Sequence, residues 1–366
     1  MPRCTTRTSI IFIIICTFGL FLRDFYENSK FLDHSKEPFR KSIFNRGLKL
    51  KSWNLTNSEP AKKKMEATEG KYMLDQIIQS KKSSSKLRVW NENMSSKDLV
   101  PRLQQVKRNY LAMNKYKVNF QGKLGQVVTP HELLCKLKNN VNMSTIRRSD
   151  LPYNASSWSQ YLPLKTLQEE VGTLERCAVV SSAGSIRLSK LGQEIVSRPD
   201  LNFLENPQYK EGILLMWDPA YYKADLLQWH RNPDYQFYDR FTEYRKKNPD
   251  QMFFILNPQA TWQLWDIIQE SSPEQIQPDP PSSGLLGILL MMNLCNQVNV
   301  YEFLPSKRQT DLCHYYEKYQ DRACTLGAYH PLLYEKNLVK KINMGDDESI
   351  YYHGRVTLPG LKSLKC

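Results

Sequence analysis

Arg176-Cys177-Ala178-Val179-Val180-Ser181-Ser182-Ala183-Gly184-Ser185 is the stretch on which the fold turns. Ala178 to Val180 suit a strand buried on both faces, and the hydroxyls and Gly184 after them make a turn of small residues. Such a turn lets backbone N–H groups approach an anion, as at the phosphate end of a nucleotide fold. Most turns of this kind are ordinary ones, so its meaning depends on its surroundings.

Downstream, short apolar runs alternate with helical patterns. Residues 212–217, 252–256 and 298–304 predict strands, and 262–269, 284–295 and 331–342 predict helices. This alternation predicts an α/β fold with a largely parallel sheet, in which ligands sit at the carboxyl ends of the strands. Upstream, Leu99, Leu103, Val106, Tyr110 and Met113 follow a helical period, and Pro130 opens a second helix. The folded domain is therefore expected over 94–366.

The chain has 366 residues, 41% of them hydrophobic, which supplies a sizeable core, and a formal charge of +14. That charge suits nucleic acid, an anionic membrane or an enzyme with anionic substrates, and compartment decides among them. Residues 8–22 form an uncharged, mostly apolar run with Arg3 and Arg7 before it and Arg23 after. A short membrane anchor is expected there, with a cleaved signal peptide as the rival. Residues 1–7 would be a cytoplasmic tail and 23–93, polar and Lys-rich, a flexible stem.

Asn-x-Ser/Thr sequons stand at Asn54, Asn93, Asn142 and Asn154, each a glycosylation candidate on a luminal side. Beyond the run lie six widely spaced cysteines, Cys135, Cys177, Cys295, Cys313, Cys324 and Cys366, an even set suited to luminal disulfides. No C-x-x-C or His-x-x-x-His pair suggests a metal site. A luminal location removes nucleic acid as a partner.

Two further places carry candidate chemistry. Pro280-Pro281-Ser282-Ser283-Gly284 precedes the apolar run 285–292, setting two hydroxyls and unpaired N–H groups at a helix N-terminus, a second anion site or an ordinary Ser cap. Cys313 and Cys324 are close enough in sequence to close a small loop, followed by Thr325-Leu326-Gly327-Ala328-Tyr329-His330-Pro331 and then a helix. A His at a helix start is biased toward the neutral form that a general base needs.

These stretches resemble the four sialylmotifs of the sialyltransferases. The large motif corresponds to the run from Arg176 through Gly184, and the small one runs from Pro281 through Phe303. Ala328-Tyr329-His330-Pro331 and the His-x4-Glu of His330 and Glu335 are similar to the third and very-small motifs. Within that family the chain is similar to the β-galactoside α-2,6 group, type I-like, on stretches such as 114–118, Trp217-Asp218-Pro219, 301–307 and 327–337. The resemblance covers about 89–366.

It implies a Rossmann-like GT-A-variant domain that transfers sialic acid from CMP-sialic acid to the 6-hydroxyl of terminal galactose on N-glycans. Transfer would invert the anomeric centre, without metal or other cofactor. His330 would be the general base, with Ser182, Ser282, Ser283, Gly284, His314, Thr325, Tyr329 and Lys336 at donor-site positions. The disulfides would be Cys135–Cys366, Cys177–Cys295 and Cys313–Cys324. The location implied is the Golgi membrane, single-pass with a luminal catalytic domain, releasable by cleavage in the stem and compatible with a homodimer. Metal-free catalysis has a physical basis, because helix N-termini and hydroxyls stabilise a departing phosphate.

The chain departs from the pattern in two places. Residue 314 is His where relatives carry Tyr. After Ile195 about thirty residues of the large motif, roughly one βαβ unit, have no counterpart before Gly212, and with them go both asparagines used on the donor nucleotide. Asn202 and Asn206 fall where the resemblance resumes. A sheet that loses a strand must rejoin or leave an edge. The alternative function is therefore a catalytically impaired luminal protein that binds glycans or a partner.

Overall fold

The computed structural model describes residues 12–15, 87–155, 157, 159–189, 212–314 and 326–366. In chain order its main elements are β1 (Phe12–Ile15), α1 (Pro101–Met113), α2 (Pro130–Asn140), α3 (Leu167–Val171), β2 (Leu174–Val180), β3 (Ile213–Met216), α4 (Leu226–Arg231) and α5 (Tyr238–Lys247). There follow β4 (Phe253–Ile255), α6 (Gln259–Ser271), α7 (Ser283–Leu294), β5 (Cys295–Tyr301), α8 (Leu332–Lys341), α9 (Asp347–His353) and β6 (Arg355–Pro359).

The helix starts are written locally. Thr129 with Glu132, Thr166 with Glu169 and Asp225 with Gln228 form reciprocal capping boxes ahead of α2, α3 and α4. Pro101 and Pro130 occupy first-turn positions, where a missing N–H costs nothing. α7 is apolar on every side, and Leu285 to Met292 are all buried, as befits a helix enclosed by other elements rather than laid on a surface. It packs against β2, β5 and β1.

The mixed α/β class holds, and the described strands form two three-stranded sheets, β1-β3-β4 and β2-β5-β6. All pairings are parallel except β5 with β6. Two expectations need correction. Residues 178–180 were expected to be buried on both faces, yet β2 is only half-buried along its second part, because among the described strands it has a neighbour on one edge alone, β5. The strand expected over 298–304 begins at Cys295 and ends at Tyr301. α7 runs straight into it, and Glu302 turns the chain at φ 55°, held by a 2.7 Å bond from its N–H to the Gly354 carbonyl.

Of the run 8–22 expected to be an anchor, only residues 12–15 are described, and they form a strand in parallel register with β3, from Phe12 opposite Ile213 to Ile15 opposite Met216. The run is rich in β-branched Ile, which favours a strand where an edge is available. Among the described residues no helix is long and apolar enough to cross a membrane. Trp90 is already in the core, ahead of the expected boundary at 94, and its indole donates to Asn337 Oδ1 at 2.9 Å.

Cys135–Cys366 and Cys177–Cys295 are bonded as the resemblance implied, with Cα separations of 5.5 and 6.0 Å. Cys313 is also disulfide-bonded, and Cys324 lies outside the described residues. Asn93, Asn142 and Asn154 are exposed, and Asn54 lies outside the described residues.

Candidate active site

The parallel strands deliver their carboxyl ends to the N-terminus of α7. The Ser181 N–H donates to the Tyr301 carbonyl at 3.0 Å, joining the ends of β2 and β5. Trp217, directly after β3, donates its indole N–H to Ser283 Oγ at 3.2 Å. Gly284 admits the Phe303 ring, which would stand 3.1 Å from an added Cβ. Ser282 caps the helix, its Oγ accepting from the Leu285 N–H at 3.2 Å.

Glu335 on α8 is fully buried and takes both polar groups of that cap. One carboxylate oxygen accepts from the Ser282 N–H at 2.7 Å and the other from Ser282 Oγ at 2.5 Å. Burial pushes its pKa up to about 7, against the pull of the two Ser282 bonds and of Lys336. Burial also pulls the Lys336 ammonium down to about 8, with Glu335 opposing, and its Nζ stands 5.1 Å from the Trp90 ring centroid. Glu335 thus ties α8 to the start of α7, 53 residues away in sequence.

His330 lies just before α8. Its Nδ1 is 2.7 Å from the Pro280 carbonyl, which can only accept, so Nδ1 carries the proton and the lone pair is on Nε2. Burial lowers its pKa to about 4, with the Pro280 bond opposing and His314 adding to the fall. The imidazole is therefore neutral and oriented, as a base must be. His314 itself reaches the site because its backbone bridges to Ala183, in the turn after β2. Gly184 makes that approach possible, since an added Cβ would come within 2.5 Å of the Leu312 carbonyl oxygen.

The resemblance placed Tyr329 at the donor site. It stacks edge-on to His330, with centroids 4.7 Å apart, and starts a polar chain. Tyr116 donates to Asp234 Oδ2 at 3.1 Å, so Tyr329 is the donor in the 2.7 Å contact between the two phenols. Lys115 pairs with Asp234 at 2.9 Å. Asp218, buried after Trp217, fixes Asp234 by accepting from the Asp234 and Tyr235 N–H groups, each at 3.0 Å, and from the Trp229 indole at 2.8 Å. Burial raises Asp218 to about 7 against those bonds.

Of the expected site residues, the structure gathers Ser282, Ser283, Gly284, His314, Tyr329, His330, Glu335 and Lys336. Ser182 is exposed in the turn after β2, and Thr325 lies outside the described residues. The Asp218–Asp234–Tyr116 chain was not foreseen as part of the site, although Trp217-Asp218-Pro219 at a strand end was its signal. A cleft of about 480 Å3 lined by Lys138, Asn140, Asn142, Gln263 and Asn293 contains the sequon at Asn142 and none of the expected donor-site residues.

The family model for glycosyltransferase family 29 (sialyltransferase) matches residues 214–345, from β3 through α8. The chain is 42% identical to beta-galactoside alpha-2,6-sialyltransferase 1 of Homo sapiens, over 99% of its own length and 97% of that relative. It is 45% identical to the Mus musculus protein of the same name, over 78% and 79%. With beta-galactoside alpha-2,6-sialyltransferase 2 of Xenopus tropicalis it shares 43% identity over 83% of this chain and 66% of that one. The human alignment runs over 399 positions against a chain of 366, so some thirty or more of them are skipped here. By this identity over nearly its whole length, the chain is a glycosyltransferase and belongs to family 29, the sialyltransferases.

Proposed function

We propose that the chain is a β-galactoside α-2,6-sialyltransferase of Rossmann-like GT-A-variant architecture, acting on CMP-sialic acid and galactose-terminated N-glycans in the Golgi lumen. The single observation that carries the reaction is His330, with Nδ1 committed to Pro280 and Nε2 left as base. Nε2 takes the proton of the galactose 6-hydroxyl as its oxygen bonds to the anomeric carbon of sialic acid, with inversion. The bond from that carbon to the phosphate oxygen breaks, and its electron pair leaves with CMP.

The N-terminus of α7, with the Ser283 hydroxyl, and the small-residue turn at Ser181 and Ser182 offer positive dipole ends and donors to that phosphate. Glu335 keeps α7 in place from α8. The Asp234–Tyr116–Tyr329 chain beside His330 suits the hydroxyl-rich acceptor. Catalysis on these groups needs no metal.

Incubating the luminal portion with CMP-sialic acid and N-acetyllactosamine tests the reading. α-2,6-sialylated product that falls at least about a hundredfold in His330→Ala supports it. No product, with N-acetyllactosamine still bound, supports instead a glycan-binding protein, the reading favoured by the skipped positions of the alignment.

A further inference from the structure

Asp279 is 3% exposed, and its Oδ2 has no hydrogen-bond partner among the described residues. A buried carboxyl oxygen without a partner is costly, so such a group calls for a reason, and a partner that arrives from outside is one.

Its position is fixed from both sides. The Pro280 carbonyl holds His330, and Gln277 donates to the Gly327 carbonyl at 3.0 Å, so residues 277–280 lie along the loop that carries the base. The charge of Asp279 acts on Tyr329 and Tyr110, whose rings meet edge-on at 5.7 Å, and Lys115 acts on Asp279 in turn. No hydrogen bond joins any of them to Oδ2, and two of them are held elsewhere. Tyr329 gives its proton to Tyr116, Tyr116 to Asp234, and Lys115 pairs with Asp234. Burial raises Asp279 to about 7, with Lys115 alone pulling it down.

We propose that Asp279 is a specificity residue of the acceptor side, whose free carboxylate oxygen accepts a hydrogen bond from a hydroxyl of the acceptor sugar held against Tyr329 and His330. This rests on the acceptor reading given above. A donor substrate carrying a phosphate and a carboxylate does not suit a carboxylate at this place, whereas a neutral sugar with several hydroxyls does.

Binding of N-acetyllactosamine to the full chain without donor, followed by saturation-transfer NMR, tests the assignment apart from turnover. Asp279→Ala is expected to weaken binding about tenfold to hundredfold, the range for a lost bond to a charged group. In a series of monodeoxy N-acetyllactosamines, one analogue should show the same loss on the wild type and no further loss on the variant. Binding of CMP should be unchanged. Asp279→Leu keeps the forked shape of the side chain with no acceptor, and carries the same cycle if the alanine variant does not fold. Binding that is indifferent to residue 279, or losses that add for every hydroxyl, overturn the assignment and leave the acceptor reading standing. Absence of any binding by the wild type overturns both.

Discussion

Replacing Ser282 with alanine should cost the protein more at neutral pH than in mild acid, because its hydroxyl serves a helix cap and a buried carboxylate at once. As a cap it satisfies the Leu285 N–H, worth about 1 kcal/mol. As a donor it holds one oxygen of Glu335 at 2.5 Å, and a bond to a charged group contributes about 1.5–3 kcal/mol. Glu335 titrates at about 7, raised by burial from its ordinary 4.5. The stability linked to it is present in full below pH 4.5 and is lost as pH rises through 7. Removing the Ser282 hydroxyl removes a group that favours the charged form, so the variant's carboxyl titrates higher and the loss with pH steepens. The expected destabilisation is about 2.5–4 kcal/mol at pH 7.5. At pH 5.5, where Glu335 is protonated, the hydroxyl makes a neutral bond and the loss falls to about 2 kcal/mol. Urea unfolding at the two pH values measures both, with Glu335→Gln and the double variant closing the cycle. A loss that is equal at both pH values, or single-variant effects that simply add, would refute the coupling of cap and carboxylate.

Two more substitutions probe the frame of the site. Gly184→Ala sets a methyl 2.5 Å from the Leu312 carbonyl oxygen, so it should cost about 1–3 kcal/mol and weaken CMP binding by displacing His314; wild-type melting together with wild-type CMP affinity would contradict this. Asp218→Asn turns an amide NH2 toward one of three donors that now share a buried carboxylate, so about 3–5 kcal/mol of stability should go, along with N-acetyllactosamine affinity through the displaced Asp234. Denaturant midpoints and the NMR titration read the two effects separately.

What was legible in the sequence was local. Capping residues, prolines at first turns and the apolar block 285–292 placed α2, α7 and α8 within a few residues, because those signals act over a single turn of chain. Ser282, His330 and Glu335 were each visible as motif residues. Their contacts were not, since the bonds from Ser282 to Glu335 and from Pro280 to His330 span 53 and 50 positions and exist only once α7 and α8 are packed. Asp279 carried no signal of its own. Only its burial and its unpartnered Oδ2 among the described residues make it stand out. β6 was missed because a five-residue strand near the end of the chain is specified by its antiparallel partner β5 rather than by its own alternation.

The edge of β3 shows how one missing contact changes the meaning of a distant stretch. Ile213 to Met216 are buried throughout, and a strand buried on both faces needs a neighbour on each edge, or it leaves a row of unpaired N–H and C=O groups inside the protein. β4 covers one edge, and β1 covers the other. No strand from the interval between β2 and β3 stands there among the described residues. The four residues of β1 span about 13 Å as a strand, whereas a bilayer core of about 30 Å needs the whole run 8–22 as a helix. Pairing with β3 and crossing a membrane therefore exclude each other for the same copy of residues 12–15. In a chain that keeps the His330–Pro280 bond, the Ser282 cap and the Asp234–Tyr116–Tyr329 chain, the apolar run is left to serve either the bilayer or the open edge of β3.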